Sequence, residues 1–158
     1  MTKIEWCIKH RAFIEMTEPN HILAVAYIKK AEEALEAMRI NTIKDWKITT
    51  SYYSQYFSLY AILMKIGIKC EIHACTLEFA KTYLKDYLSE NDLLFIEKSM
   101  KARINSQYYV DKEIPDEDYS MMIKDTPEFM IKCKRVLLSI TENKINIIRT
   151  KLRKAVLD

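Results

Sequence analysis

Residues 41–67 read NTIKDWKITTSYYSQYFSLYAILMKIG. Apolar and aromatic side chains (Trp46, Tyr52, Tyr53, Tyr56, Phe57, Leu59, Tyr60, Leu63, Met64) recur every three or four residues, which predicts a helix starting at Asn41 or Thr42 and running to about Ile66. Gly67 then stands just past its end, where a left-handed residue closes a helix. Such a helix is apolar nearly all round, so it belongs in the middle of a bundle or against a partner subunit. Gly67 is also the one glycine in 158 residues, where ordinary usage would give about eleven. No glycine-rich phosphate loop can be built from that, tight hairpins are starved, and three prolines are too few for a loop-rich fold. The expected class is all-α.

Outward from this helix the chain reads the same way. About Lys3 to Met16 (Ile4, Cys7, Ile8, Ala12, Phe13 and Ile14) forms a first amphipathic segment, ended by Glu18-Pro19. Asn20 caps a second helix to about Arg39, with Leu23, Ala24, Tyr27, Ile28, Ala31, Ala34, Leu35 and Met38 on its buried side. Beyond the central helix, a short one spans about Thr76 to Leu88, and Ser89 caps another from Glu90 to about Lys112, with Asp92 in its first turn. Pro115 and Asp116-Glu117-Asp118 read as a loop. Thr126-Pro127-Glu128 reads as a helix start, and one long helix bent near Thr141 is expected from there to about Val156. The expectation is one domain over residues 1–158, an antiparallel up-and-down four-helix bundle with an extra N-terminal helix and a short connecting helix.

Charge and cysteine content bound the function. Twenty-five basic and 22 acidic residues give a net charge of +3, too mild to argue nucleic-acid binding on its own. No apolar run is long enough to span a membrane and no signal-peptide core is present, so a soluble cytoplasmic protein is expected. Cys7, Cys70, Cys75 and Cys133 form no Cys-x-x-Cys pair and are expected to be reduced thiols. Cys70, His73 and Cys75 lack a fourth ligand, so neither a metal nor a cofactor is expected. The rows Tyr52-Tyr56-Tyr60 and Tyr53-Phe57 read first as core or dimer contact, though such rings can also stack on bases. The basic excess near Arg149, Arg153 and Lys154 reads as a solvated helix end rather than a phosphate track. Arg103, Gln107 and Asp111 share one helix face. Arg103 lies among apolar residues, where a guanidinium needs a carboxylate, a phosphate or a carbonyl, so a structural ion pair and a ligand-binding arginine stand equal.

Three stretches together resemble the HEPN family (the higher eukaryote and prokaryote nucleotide-binding domain) in its small stand-alone prokaryotic branch. They are AYIKKAEEAL at 26–35, SYYSQYFSLYAIL at 51–63 with KIGI at 65–68 and then His73, and Ala102-Arg103 with Gln107-Tyr108-Tyr109. The resemblance runs over about residues 20–140. It implies a four-helix bundle that dimerises around a cleft, and a partner of the minimal nucleotidyltransferase kind in a toxin–antitoxin-type pair. Its ribonuclease members carry, on the third bundle helix, an arginine and then a histidine after a short variable spacer. Arg103 matches the arginine. Tyr108 stands where the histidine would fall after a four-residue spacer, Ile104 replaces a polar residue, and no histidine follows His73. A phenol with a pKa near 10 is a poor general base at neutral pH. No catalytic residue is therefore assigned.

The resulting expectation is a nucleotide- or RNA-binding homodimer. Arg103, Tyr108, Tyr109 and His73 are its ligand candidates, and Tyr52, Tyr53, Tyr56 and Tyr60 its interface candidates. The alternatives are a diverged HEPN ribonuclease toxin, with His73 assisting, and a non-catalytic helical adaptor.

Overall fold

The computed structural model describes residues 1–10 and 13–157. Among them are seven helices and one two-stranded ribbon: α1 Lys3–Lys9, β1 Glu15–Met16, α2 His21–Ile40, α3 Lys44–Ile66, β2 Ile68–Lys69, α4 His73–Tyr83, α5 Glu90–Tyr108, α6 Asp116–Ser139 and α7 Glu142–Leu157. The all-α reading holds. Helices α2, α3, α5 and α6 alternate in direction and form the bundle, with α3 packed against the other three. Tyr52, Leu59, Ile62, Leu63 and Ile66 of α3 are fully buried. Ala24 and Ala31 let α2 lie close enough for the Ser54 hydroxyl to donate to the Ala31 carbonyl at 2.9 Å. No described helix is long and apolar enough to cross a membrane.

Several boundaries follow their sequence signals. Asn20 caps α2, its side chain accepting from the Leu23 N–H. Ser89 and Asp92 make a reciprocal capping box on α5. Gly67 closes α3 at φ 84°.

Elsewhere tertiary contacts override the local reading. The first helix stops at Lys9, because residues 15–17 use their backbone groups on the exit of α3: Glu15 and Met16 pair with Lys69 and Ile68, and the Thr17 N–H donates to the Gly67 carbonyl. Ala12, assigned to that helix, lies outside the described residues. Asn41 ends α2 instead of starting α3, which begins at Lys44. Thr76 lies inside α4, its hydroxyl turned back to the Ile72 carbonyl, so α4 starts at His73 and ends at Tyr83. Helix α5 ends at Tyr108, short of Lys112 and of Asp111.

The acidic stretch after Pro115 is helical, since three carboxylates suit the positive end of a helix. Pro127 consequently sits inside α6. Thr126 accepts from the Gln55 amide at 2.9 Å, shares a 2.8 Å hydrogen bond with Ser51, and donates to the Met122 carbonyl, so its hydroxyl is fully engaged as an interior group. The expected long last helix is two, because Thr141 caps α7 by accepting from the Lys144 N–H.

Two side-chain expectations also change. Cys7 and Cys75 are joined in a disulfide across 68 residues, so only Cys70 and Cys133 are free thiols. Burial pushes both of those thiols up, which leaves them as neutral packing groups. Arg149, read as part of a solvated helix end, is buried and donates to the carbonyls of Thr17, Ile66 and Gly67. The Ile66 and Gly67 carbonyls stand at the C-terminus of α3, the end of a helix that a cation stabilises, and the Thr17 carbonyl comes from the chain leaving β1.

Candidate functional site

The tyrosines of α3 explain how the next segment is placed. Residues 52, 56 and 60 lie four apart on one face, and each hydroxyl engages the chain that leaves α3. Tyr60 accepts from the Cys70 N–H at 3.2 Å and Tyr56 donates to the Cys70 carbonyl at 3.5 Å. Tyr52 shares a 2.7 Å hydrogen bond with Nδ1 of His73 at the start of α4. Burial holds all three phenols above their ordinary range, so they stay protonated.

His73 stacks on Tyr56, with ring centroids 3.9 Å apart and planes 12° from parallel, and it meets Tyr53 edge-on at 6.1 Å. Burial first, and then the nearby Arg103 charge, lower its pKa from the usual 6.5 to about 4. At neutral pH it is therefore an uncharged imidazole, a weak base with no proton to give as an acid.

Arg103 reaches the same place from α5, which runs antiparallel to α3. Its guanidinium lies 5.1 Å from the Tyr52 ring centroid and 5.5 Å from that of Tyr53, within cation–π range of both. Nη1 donates to Oε1 of Gln107 one turn on, at 3.0 Å. None of the ion pairs among the described residues involves Arg103. Nε of Arg103 and Oγ of Ser106, three residues apart on α5, are buried without a hydrogen-bond partner. The arrangement is a half-buried cation on an aromatic platform, with donors to spare beside a neutral histidine. It suits a hydrogen-bonding anion such as a phosphate.

Of the residues singled out from sequence, the structure brings together Arg103, His73, Tyr52, Tyr53 and Tyr56. It places Tyr108 and Tyr109 at the open end of α5, 65% and 46% exposed, with Tyr109 under the ammonium of Lys112 at 4.1 Å. Tyr52, Tyr56 and Tyr60, named as interface candidates, point into the chain's own core and keep little surface for a second copy, while Tyr53 is half-buried. Cys75, weighed as a metal ligand with Cys70 and His73, is bonded to Cys7. Tyr52 and Tyr53 as the cradle of Arg103, and the unpartnered Ser106, were not read from the sequence. The signal was there in the antiparallel order of α3 and α5, which sets the start of one beside the end of the other.

This all-α bundle sets an arginine and polar residues of α5 against a tyrosine-rich α3. The HEPN domain model matches residues 24–136, and the chain belongs to that family. It is similar to the Methanocaldococcus jannaschii protein named "Putative toxin MJ0142", at 27% identity over 117 residues, covering 71% of this chain and 80% of the relative.

Proposed function

We propose that the chain is a HEPN-type binding module of a toxin–antitoxin-type pair, a homodimer that partners a minimal nucleotidyltransferase and holds a nucleotide or RNA phosphate on Arg103 without cleaving it. The observation that carries this reading is the state of Arg103, a cation laid on Tyr52 and Tyr53, paired with no carboxylate among the described residues and with Nε unpartnered there. Similarity to a protein named as a toxin supports the toxin-type role. A second reading has its own observation: His73, from α4, stands beside Arg103, so a histidine missing from α5 is supplied from another element. Its depressed basicity argues against that reading, because acid–base cleavage at neutral pH needs a group that titrates there.

The deciding experiment compares wild type with Arg103→Ala. Affinity is measured for a single-stranded oligoribonucleotide and for nucleoside triphosphates, alongside melting curves and an RNA cleavage assay. Loss of a charge-assisted phosphate contact should weaken binding about tenfold or more, with neither protein cleaving RNA. Stability should fall by only about 1 kcal/mol, since no carboxylate is stranded. Unchanged binding would remove the ligand role. Cleavage lost in both Arg103→Ala and His73→Ala would establish the ribonuclease instead. Sedimentation should give about twice the 18.8 kDa chain mass, and co-expression with a nucleotidyltransferase encoded beside it should yield a complex.

A further inference from the structure

Helix α1 is held to the rest of the molecule in an unusual way. Among the described residues, each of its hydrogen bonds stays within its own segment: the Thr2–Glu5 capping box, backbone bonds between neighbouring turns, and His10 Nδ1 on the Trp6 carbonyl. Among the described residues no ion pair involves it either. Trp6 is 41% exposed and packs on His10 and Phe13, side chains of its own stretch of chain. What joins α1 to the bundle is the apolar contact of Ile4 and Ile8 and the Cys7–Cys75 disulfide. A helix of seven residues is far below the length that holds itself together in water.

The other end of that disulfide is in the first turn of α4, two residues after His73. That turn has no side-chain cap; the Tyr52 hydrogen bond and the Tyr56 stack on His73, the burial of Thr76 and Leu77, and the bond to α1 hold it. A cavity of about 530 Å³ between α1, α4 and α5 is lined by both Cys7 and Cys75 and reaches Lys101, two residues from Arg103. Although both cysteine side chains are almost fully buried, the cavity gives a small thiol a path to the bond.

We propose that the Cys7–Cys75 disulfide is a redox latch on the Arg103 site. Closed, it clamps α1 onto the turn that carries His73; opened by a cellular dithiol, it frees α1 and loosens that turn. In the opening step the dithiol gives up two electrons and its two protons and becomes a disulfide. The S–S bond of the protein breaks, and Cys7 and Cys75 each gain a proton as thiols. The chain stays anchored at β1, so the motion is confined to the segment before it. A reducing cytosol would hold the latch open and oxidation would close it. The effect on ligand binding rests on the reading of Arg103 as a ligand residue; the release of α1 does not.

The test uses the full chain, oxidised and then reduced with dithiothreitol, followed by amide hydrogen exchange and by binding of a single-stranded oligoribonucleotide. Reduction should speed exchange about tenfold or more in residues 3–9 and 73–77 and leave α3 and α6 unchanged. RNA affinity should fall about threefold or more as the platform loses its preorganisation, and Cys7→Ser should behave as the reduced protein without any reductant. Equal exchange in the two states, or four alkylatable thiols in denatured protein after treatment of the folded chain with a thiol oxidant such as diamide, would overturn the latch. Faster exchange with unchanged affinity would overturn its control of the site. If neither state binds RNA, the Arg103 reading fails and the exchange data still decide the latch.

Discussion

Gly67 sits at a crossing that no side chain could occupy. A Cβ there would meet the guanidinium of Arg149, the Pro19 nitrogen and the Thr17 carbonyl, in a left-handed backbone that already disfavours other residues. Gly67→Ala should therefore cost about 2–4 kcal/mol, backbone strain plus overpacking, read as a fall in the chemical-denaturation midpoint at unchanged slope. His73 gives a second prediction at this scale. Its pKa is about 4 in the folded chain and 6.5 when unfolded, so at low pH the unfolded state binds the extra proton. Its contribution is complete above about pH 6.5 and is lost as pH falls through 4. The ring is partly solvated, so the contribution is discounted to about 1–2 kcal/mol. Stability measured from pH 7 to 4 should fall more steeply in wild type than in His73→Gln, and parallel curves would show that the ring is not buried as described.

At the scale of elements, α6 carries the clearest conflict between local and tertiary preference. Pro127 removes one backbone donor and crowds the carbonyl four residues before it, yet the helix runs through it, because Thr126 is bonded by Ser51 and Gln55 of α3. Pro127→Ala should then stabilise the protein by about 1–3 kcal/mol, whereas a true helix start at Thr126 would make that change neutral or harmful. Thr126→Val should cost about 1–3 kcal/mol by leaving the Gln55 amide only its longer bond to the Ser51 hydroxyl. Both are read from thermal or denaturant melts. These residues also show what the sequence could and could not convey. Caps written in adjacent residues, such as Asn20, Ser89-Asp92 and Gly67, were legible because their physics is local. Thr126-Pro127 carries a local start signal that a partner 75 residues away converts to interior, and Glu15-Met16 becomes a strand only because α3 ends beside it. The same limit applies at the site. Arg103 was legible as an arginine in need of a partner. That its partners are the rings of Tyr52 and Tyr53, and that Cys7 finds Cys75, depends on contacts with no short-range trace.

For the whole molecule, the question is whether nucleic acid would be held by a broad basic surface or by one site. The net charge of +3 is too small for a strong general attraction. Several lysines are already committed: Lys132 to Asp92, Lys134 to Glu32, Lys144 to Asp86, Lys44 to Asp116 and Lys81 to Glu97. Arg149, the most inward of the α7 cations, is spent on backbone carbonyls. Single-strand binding releases counterions in proportion to the phosphates neutralised, with a slope in log affinity against log salt of about −0.7 per contact. A molecule that relies on Arg103 and one or two neighbouring cations should show a shallow slope, about −1 to −2, and Arg103→Ala should flatten it by about 0.7. The measurement is oligoribonucleotide affinity from low to near-physiological salt for both proteins. A slope steeper than about −4 that Arg103→Ala leaves unchanged would move the interface to the basic side chains of α6 and α7, and Arg103 would then be a packing residue.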